Sequence, residues 1–193
     1  MLDKFSVRHV RLADRAIWLT MRCDLWPEGD AAAHASEIDE FFAGKLREPL
    51  AVLVAINDTG DGVGFAGLSI RPYAEDCETD RVAYLEGWYV VPQARRTGVG
   101  RALIAGAEAW AVEQGSTEFA SDALIDNDVS AAAHRALGFV ETERIRCFKK
   151  TLPQAASSPP PMDAVARTED VVIRQARMSD AEALASLITE LGY

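Results

Sequence analysis

YLEGWYVVPQARRTGVGRALI, residues 84–104, is the stretch whose reading decides the fold. An apolar, strand-like run stops at Pro92, and two arginines and a Gly-x-Gly follow. Beyond them Val99, Leu103, Ile104, Ala107 and Trp110 share one face of a helix predicted over 98–114. Three readings compete for the turn between strand and helix. A P-loop requires a lysine and a hydroxyl residue after its second glycine, and neither is there. A dinucleotide fingerprint requires a third glycine near 103, which is Leu. A plain helix start accounts for Gly98 and Gly100 but not for Arg95, Arg96 and Arg101. Unpaired N–H groups at a helix N-terminus attract phosphate, and small residues let the backbone approach it closely. The segment Arg95-Arg96-Thr97-Gly98-Val99-Gly100-Arg101 therefore favours a ligand bearing a pyrophosphate.

Outward from this turn, residues 1–150 alternate between strand and helix patterns. FSVRHVRL (5–12) alternates like a strand, and Asp14 is placed to cap a helix running through Arg22. A second helix begins at Asp30 and carries Phe41, Phe42 and Leu46 near its end. PLAVLVAI (49–56) and VGFAGLSIRPY (63–73) read as a hairpin around the turn NDTGDG. VAYLEGWYVV (82–91) is the strand before the basic turn. TEFASD (117–122) is a short strand, and Asn127 or Asp128 opens a helix that Gly138 ends. FVETERIRCFKK (139–150) is predicted as the last strand.

The segment 151–170 is rich in Pro, Ser and Ala and reads as a flexible linker. Residues 171–193 then resume a strand-then-helix pattern. IRQARMSDAEALA (173–185) matches VRHVRLADRAIWL (7–19) in its two arginines and in the Asp that opens the helix. This repeat predicts the start of a second, similar but truncated domain.

The net charge of −10 argues against nucleic acid or an anionic membrane and fits a cationic partner. No apolar run reaches the ~20 residues that would span a bilayer. The N-terminus lacks a signal-peptide pattern, and Cys23, Cys77 and Cys147 have no ligand-like spacing. A cytoplasmic protein without a metal is expected. Glu75, Asp76, Glu78 and Asp80 crowd one loop, which fits a solvated loop as well as a cation site. Glu86 is different: it interrupts an apolar strand, where a carboxylate is costly unless it faces a site. Asp122, ending the strand 117–122, has a similar claim. His9 and His34 have nothing nearby in the sequence to mark them as ligands.

Arg-x-x-Gly-x-Gly after a strand ending Val-Val-Pro resembles the acetyl-coenzyme A loop of the GNAT N-acetyltransferases. The element order over 5–150 is similar to their fold throughout. The resemblance implies an α+β fold, with a mixed, mostly antiparallel sheet, helices on both faces and a splayed strand pair at the acetyl-CoA site. It gives Trp88, Tyr89 and Val90 to the pantetheine arm, and it puts Asn127 and Ala136-Leu137-Gly138-Phe139 in the later motif. Further blocks resemble the aminoglycoside 6′-N-acetyltransferases: Leu25-Trp26-Pro27, Phe65-Ala66-x-x-Ser69-Ile70-Arg71, Leu85-Glu86-Gly87, Ala120-Ser121-Asp122 and Gly138-Phe139-x-Glu141-Thr142-Glu143. That implies a polycationic aminoglycoside substrate, with Trp26, Tyr73, Glu86, Asp122 and Glu143 in its cleft, and a homodimer is carried as an expectation.

An ammonium must lose a proton before it attacks a thioester, and Glu86 or Asp122 could take it directly or through water. The backbone N–H of Val90 would polarise the thioester carbonyl. Where many family members have a Tyr, this chain has His134, read as packing beneath the cofactor rather than as the acid. Two other readings stay open: acetylation of a polyamine, small amine or protein N-terminus, and a coenzyme A-binding module without catalysis.

Overall fold

The computed structural model describes residues 5–152, 166–168, 171–173 and 176–190. The chain divides into two units, Met1–Ile145 and Arg146–Tyr193. In the first, β1 (Phe5–His9), β2 (Ala51–Asn57), β3 (Gly62–Arg71), β4 (Val82–Val90) and β5 (Phe119–Ser121) form one sheet in the order β1-β2-β3-β4-β5. The first three pairings are antiparallel and β4–β5 is parallel.

Alternation along the strands sorts side chains to two faces, as the pleat requires. Leu53, Ala55, Ala66, Leu68, Ala83 and Leu85 meet α3 (Val99–Glu113), which buries Val99, Leu103, Ile104, Ala107 and Trp110 against them. Val52, Val54 and Phe65 meet the opposite layer, where α1 (Arg15–Leu25) supplies Trp18 and Met21 and α2 (Ala31–Phe42) supplies Ile38. The sheet is thus covered by helices on both faces. A further helix, α4 (Asp128–Ala136), follows β5.

Three local expectations change. Asp14 makes no capping bond to α1. It is buried, accepts from the Arg8 guanidinium at 2.7 and 2.9 Å, and accepts from the Arg11 backbone N–H at 2.7 Å. Second, α2 ends at Phe42, leaving Leu46 outside it. Third, residues 140–150 form no strand and lie exposed. A strand pattern becomes a strand only with a ladder partner. β5 offers three residues, and the polar members of this segment are met by solvent and by local ion pairs of Glu141 with Arg135 and Arg144.

The second unit holds β6 (Ala166–Thr168) and β7 (Val171–Ile173), an antiparallel pair, then a 3₁₀ turn (Met178–Asp180) and α5 (Ala181–Glu190). β6 lies inside the segment expected to be a linker; most of the rest of that segment falls outside the described residues. One turn of the two aligned segments has the same local geometry. Arg11 (φ −119°, ψ 160°) and Arg177 (φ −117°, ψ 163°) share one backbone conformation. Each donates its N–H to the Asp three residues on, at 2.7 and 2.8 Å, and a helix follows in both places.

Candidate active site

Glu86 sits where β4 changes register. Gly67 pairs with Gly87 but Leu68 pairs with Leu85, so Glu86 is the extra residue of a β-bulge. Bulges bend a strand and re-aim side chains. The parallel pairing with β5 ends one residue earlier, at Leu85–Ser121, while β4 runs on to Val90. A wedge therefore opens beside Glu86–Val90.

At the far end of that stretch lies the basic turn. Gly98 has φ +99°, in the left-handed region that favours glycine, and it starts α3 with no side-chain cap. The first amides of the helix have no partner within it. Arg96 takes φ +63°, in the left-handed region that few non-glycine residues hold. Arg95 Nε donates to the Val90 carbonyl at 3.0 Å and Thr97 Oγ1 to the Ala94 carbonyl at 2.7 Å, so the turn is tied to the strand that feeds it. Arg95, Arg96 and Arg101 are all exposed. Gly100 has a packing reason of its own: a Cβ there would lie 2.8 Å from the Trp88 ring.

On the other side of β4 is a cavity of roughly 250 Å³, lined by Trp18, Arg22, Trp26, Glu37, Glu48, Pro49, Phe65, Gly67, Glu86 and Gly87. Trp26 lies over Gly87, where a Cβ would come within 2.7 Å of its ring. Three carboxylates and one guanidinium face this space. Arg22, 8% exposed, donates to Glu37, lies 3.3 Å from His34 Nδ1 and stacks near Trp18 and Trp26 at 5.7 and 5.3 Å. Arg71 grips Glu86 with two hydrogen bonds, Nε to Oε1 at 3.0 Å and an Nη to Oε2 at 2.6 Å, and its guanidinium carbon lies 3.5 Å from the Tyr84 ring centre. Burial and the carboxylate of Asp122 push the Tyr84 hydroxyl well above its usual range. Glu48 has no ion pair among the described residues.

Several expected residues therefore converge and others do not. Trp26 and Glu86 line the cavity; Asp122 is exposed just beyond the end of β5 and does not line it, although its charge is felt by the Tyr84 hydroxyl. Tyr73 is 65% exposed and does not line the cavity, and Glu143 lies on the exposed segment 140–150. Asn127 spends its side-chain oxygen on the Ser130 N–H at 3.0 Å, capping α4. The acidic loop is held from outside the cleft: Glu118 accepts from the N–H groups of Glu78 and Thr79 at 3.0 and 2.9 Å. Tyr89 turns to the α1 face, where its hydroxyl donates to Asp24 at 3.2 Å. Missed from sequence were Arg22, Glu37, Glu48, Arg71 as the partner of Glu86, and His34, which is buried against Arg22 and lies 6.0 Å from the Trp26 ring. One signal existed for Arg22: with Trp18 and Trp26 it completes a stripe at helical spacing of four.

A sheet opened between β4 and β5, with a basic helix start at the mouth of the opening, goes with a match of residues 16–139 to the acetyltransferase (GNAT) family, and the chain belongs to that family of acetyl-transferring enzymes. Its relatives are more particular. An aminoglycoside N(6′)-acetyltransferase type 1 from Klebsiella aerogenes is 56% identical over 146 residues, covering 76% of this chain and 96% of the relative. One of the same description from Stenotrophomonas maltophilia is 39% identical, covering 78% and 96%. Among solved structures, aminoglycoside N-acetyltransferase AAC(6′)-Iy in complex with CoA is 34% identical with a TM-score of 0.72, covering 78% of this chain and 97% of the other. The same enzyme with a CoA-linked acetylneamine bisubstrate analogue gives a TM-score of 0.71 at 34% identity, covering 77% and 99%.

Proposed function

We infer that this chain is an aminoglycoside 6′-N-acetyltransferase, moving the acetyl group of acetyl-CoA onto the 6′-amine of a polycationic drug. The observation that carries the reading is the bulge at Glu86. It opens the wedge on one side of β4 and presents a carboxylate to the cavity on the other, so two ligands would meet at one strand.

The wedge fits coenzyme A by its own features. The free amides at the start of α3 and the exposed Arg96 and Arg101 suit a pyrophosphate. The indole N–H of Trp88 is buried and unpartnered beside the wedge. The backbone of Trp88, Tyr89 and Val90 would hold the pantetheine arm, the Tyr89 side chain being turned to Asp24 on the α1 face, and Arg95, Thr97, Gly98, Val99 and Gly100 would hold the phosphates. Bound there, acetyl-CoA supplies a thioester carbon open to attack by an amine. The N–H of Val90 would polarise the carbonyl.

For the amine, the carboxylates divide the work. Both oxygens of Glu86 are engaged by Arg71, which suits an anchor of fixed orientation better than a proton acceptor. Asp122 is exposed and makes no such pair, so it takes the ammonium proton, directly or through water. Glu37 and Glu48 add negative charge for the other ammonium groups, and Trp26 gives an aromatic face to stack on a sugar ring. A homodimer and a cytoplasmic location, where acetyl-CoA and unpaired thiols coexist, complete the reading. Comparing turnover of kanamycin and of spermidine tests it: kanamycin is expected to be the better acceptor by orders of magnitude, and preference for spermidine would replace the drug with a polyamine.

A further inference from the structure

The sulfur that departs from the thioester needs a proton, and neither Glu86 nor Asp122 supplies one. At the apex of the wedge Ser121, the last residue of β5, lies opposite Leu85. Its Oγ is 3.0 Å from His134 Nε2 and 3.4 Å from the Leu85 carbonyl oxygen. The other ring nitrogen, Nδ1, is 2.8 Å from the Ser130 carbonyl oxygen. The Ser130 hydroxyl lies farther from Nδ1, at 3.3 Å, and can turn to accept; the nearer carbonyl oxygen only accepts, so Nδ1 carries a hydrogen whatever the charge of the ring. All variation in protonation then falls on Nε2, which faces Ser121. The ring itself is clamped edge-on by Trp88 at 5.5 Å and Phe139 at 5.1 Å. The groups that bond to the ring or meet its face come from Trp88 in β4, Ser121 in β5, Phe139 after α4 and Ser130 within α4, and none of these residues is charged.

We propose that Ser121 and His134 form a proton relay to the sulfur of coenzyme A, with Ser121 as the donor and His134 as its supply. This rests on the reading of the wedge as the coenzyme site. In the charged ring Nε2–H donates to Ser121 Oγ, which frees the Ser121 hydrogen to point away from the imidazole. As the carbon–sulfur bond breaks, the electron pair stays on sulfur, the Ser121 Oγ–H proton moves to it, and the His134 Nε2 proton moves to Oγ. Coenzyme A leaves as the thiol, Ser121 is again a hydroxyl, and His134 is neutral with Nδ1–H intact. Solvent returns one proton to Nε2. The packing role expected for His134 is real, since Trp88 and Phe139 hold the ring, but that packing also fixes its direction.

The test has two readouts. In ¹⁵N-histidine NMR of the ligand-free protein, the neutral form of His134 is expected as the Nδ1–H tautomer, and an Nε2–H tautomer would overturn the relay. In kinetics, Ser121→Ala and His134→Ala are each expected to lower kcat by roughly 10²-fold or more with the KM for acetyl-CoA little changed. The double variant is expected to be no worse than the more impaired single variant, as for groups acting as a unit. The alkaline limb of the wild-type kcat profile should vanish in His134→Ala. A kcat within twofold of wild type in Ser121→Ala overturns the proposal. Loss of coenzyme A binding in calorimetry, with kcat intact, would likewise reduce the pair to packing. A wild-type protein that binds no coenzyme A at all would instead strike at the wedge assignment.

Discussion

Glu86 and Asp122 are both carboxylates of the cleft region, but their surroundings separate them. One is gripped by Arg71 at both oxygens, and the other stands exposed at the end of β5. Asp122→Asn is therefore expected to cut kcat by about 10²–10⁴-fold with coenzyme affinity intact. Glu86→Gln should mainly raise the KM for the aminoglycoside. Steady-state kinetics on the two variants checks this, and reversed effects would make Glu86 the base. Asp14 is expected to matter for stability alone. The Arg8 guanidinium holds its carboxyl below the usual range, so the stabilisation is complete above the unfolded value of about 4 and is lost as pH falls through the lower folded value. Asp14→Asn should cost about 1–3 kcal/mol at neutral pH, and the gap to wild type should close in acid melts below that range. At this scale the sequence was legible where a residue contradicted its element, as Glu86 did in an apolar strand. It was silent on Arg71 and Glu37, because an arginine or glutamate at an ordinary surface position carries no mark of what folds against it.

The helices and strands place these groups through a few close contacts. Trp26 ends α1 and rests on Gly87, the residue next to the bulge. Gly87→Ala should push the indole out of its seat and raise the KM for the aminoglycoside by about tenfold, leaving the KM for acetyl-CoA unchanged. Comparison of the two KM values checks it; equal rises would mean that β4 itself had moved. Gly98→Val and Gly100→Val are expected to raise the KM for acetyl-CoA far more than that for the amine. The reasons differ: Gly98 holds a left-handed conformation, whereas Gly100 lies against Trp88. Calorimetric binding of coenzyme A separates the loop from the chemistry, and unchanged affinity in both would remove the phosphate assignment. The helix α3 and strands β2 to β4 were readable from periodicity, since their apolar faces bury against one another. A glycine beside an acid in β4 was a sign of the bulge. Residues 140–150 were misread because alternation reports a preference, and a strand also needs a neighbour to pair with.

Across the whole chain the 146-residue match reaches 96% of the Klebsiella aerogenes relative but 76% of this chain. We therefore take 1–150 as the catalytic domain and 171–193 as a strand-helix segment that repeats its beginning, with the turn at Asp180 built like that at Asp14. Leu184, Leu187 and Ile188 are 42–52% exposed on α5, and an isolated helix of this length is marginal in water. A chain ending at Thr151 is expected to keep kcat/KM within about twofold and a nearly unchanged Tm, because the family match ends at residue 139, before the tail begins. A large fall in either would make the tail part of the catalytic fold. The repeat was visible in sequence because two arginines and an aspartate recur at fixed spacing, whereas the cavity was not, since its walls come from α1, α2, β3 and β4 at once. Acetyl transfer to the 6′-amine is read out by incubating the full chain with kanamycin and acetyl-CoA and locating the product's acetyl group by mass spectrometry and NMR. One added acetyl group is expected, on the 6′-amine, and none on an aminoglycoside with a hydroxyl at that position. Acetylation at another amine, or no acetylated product with coenzyme A bound, would contradict it.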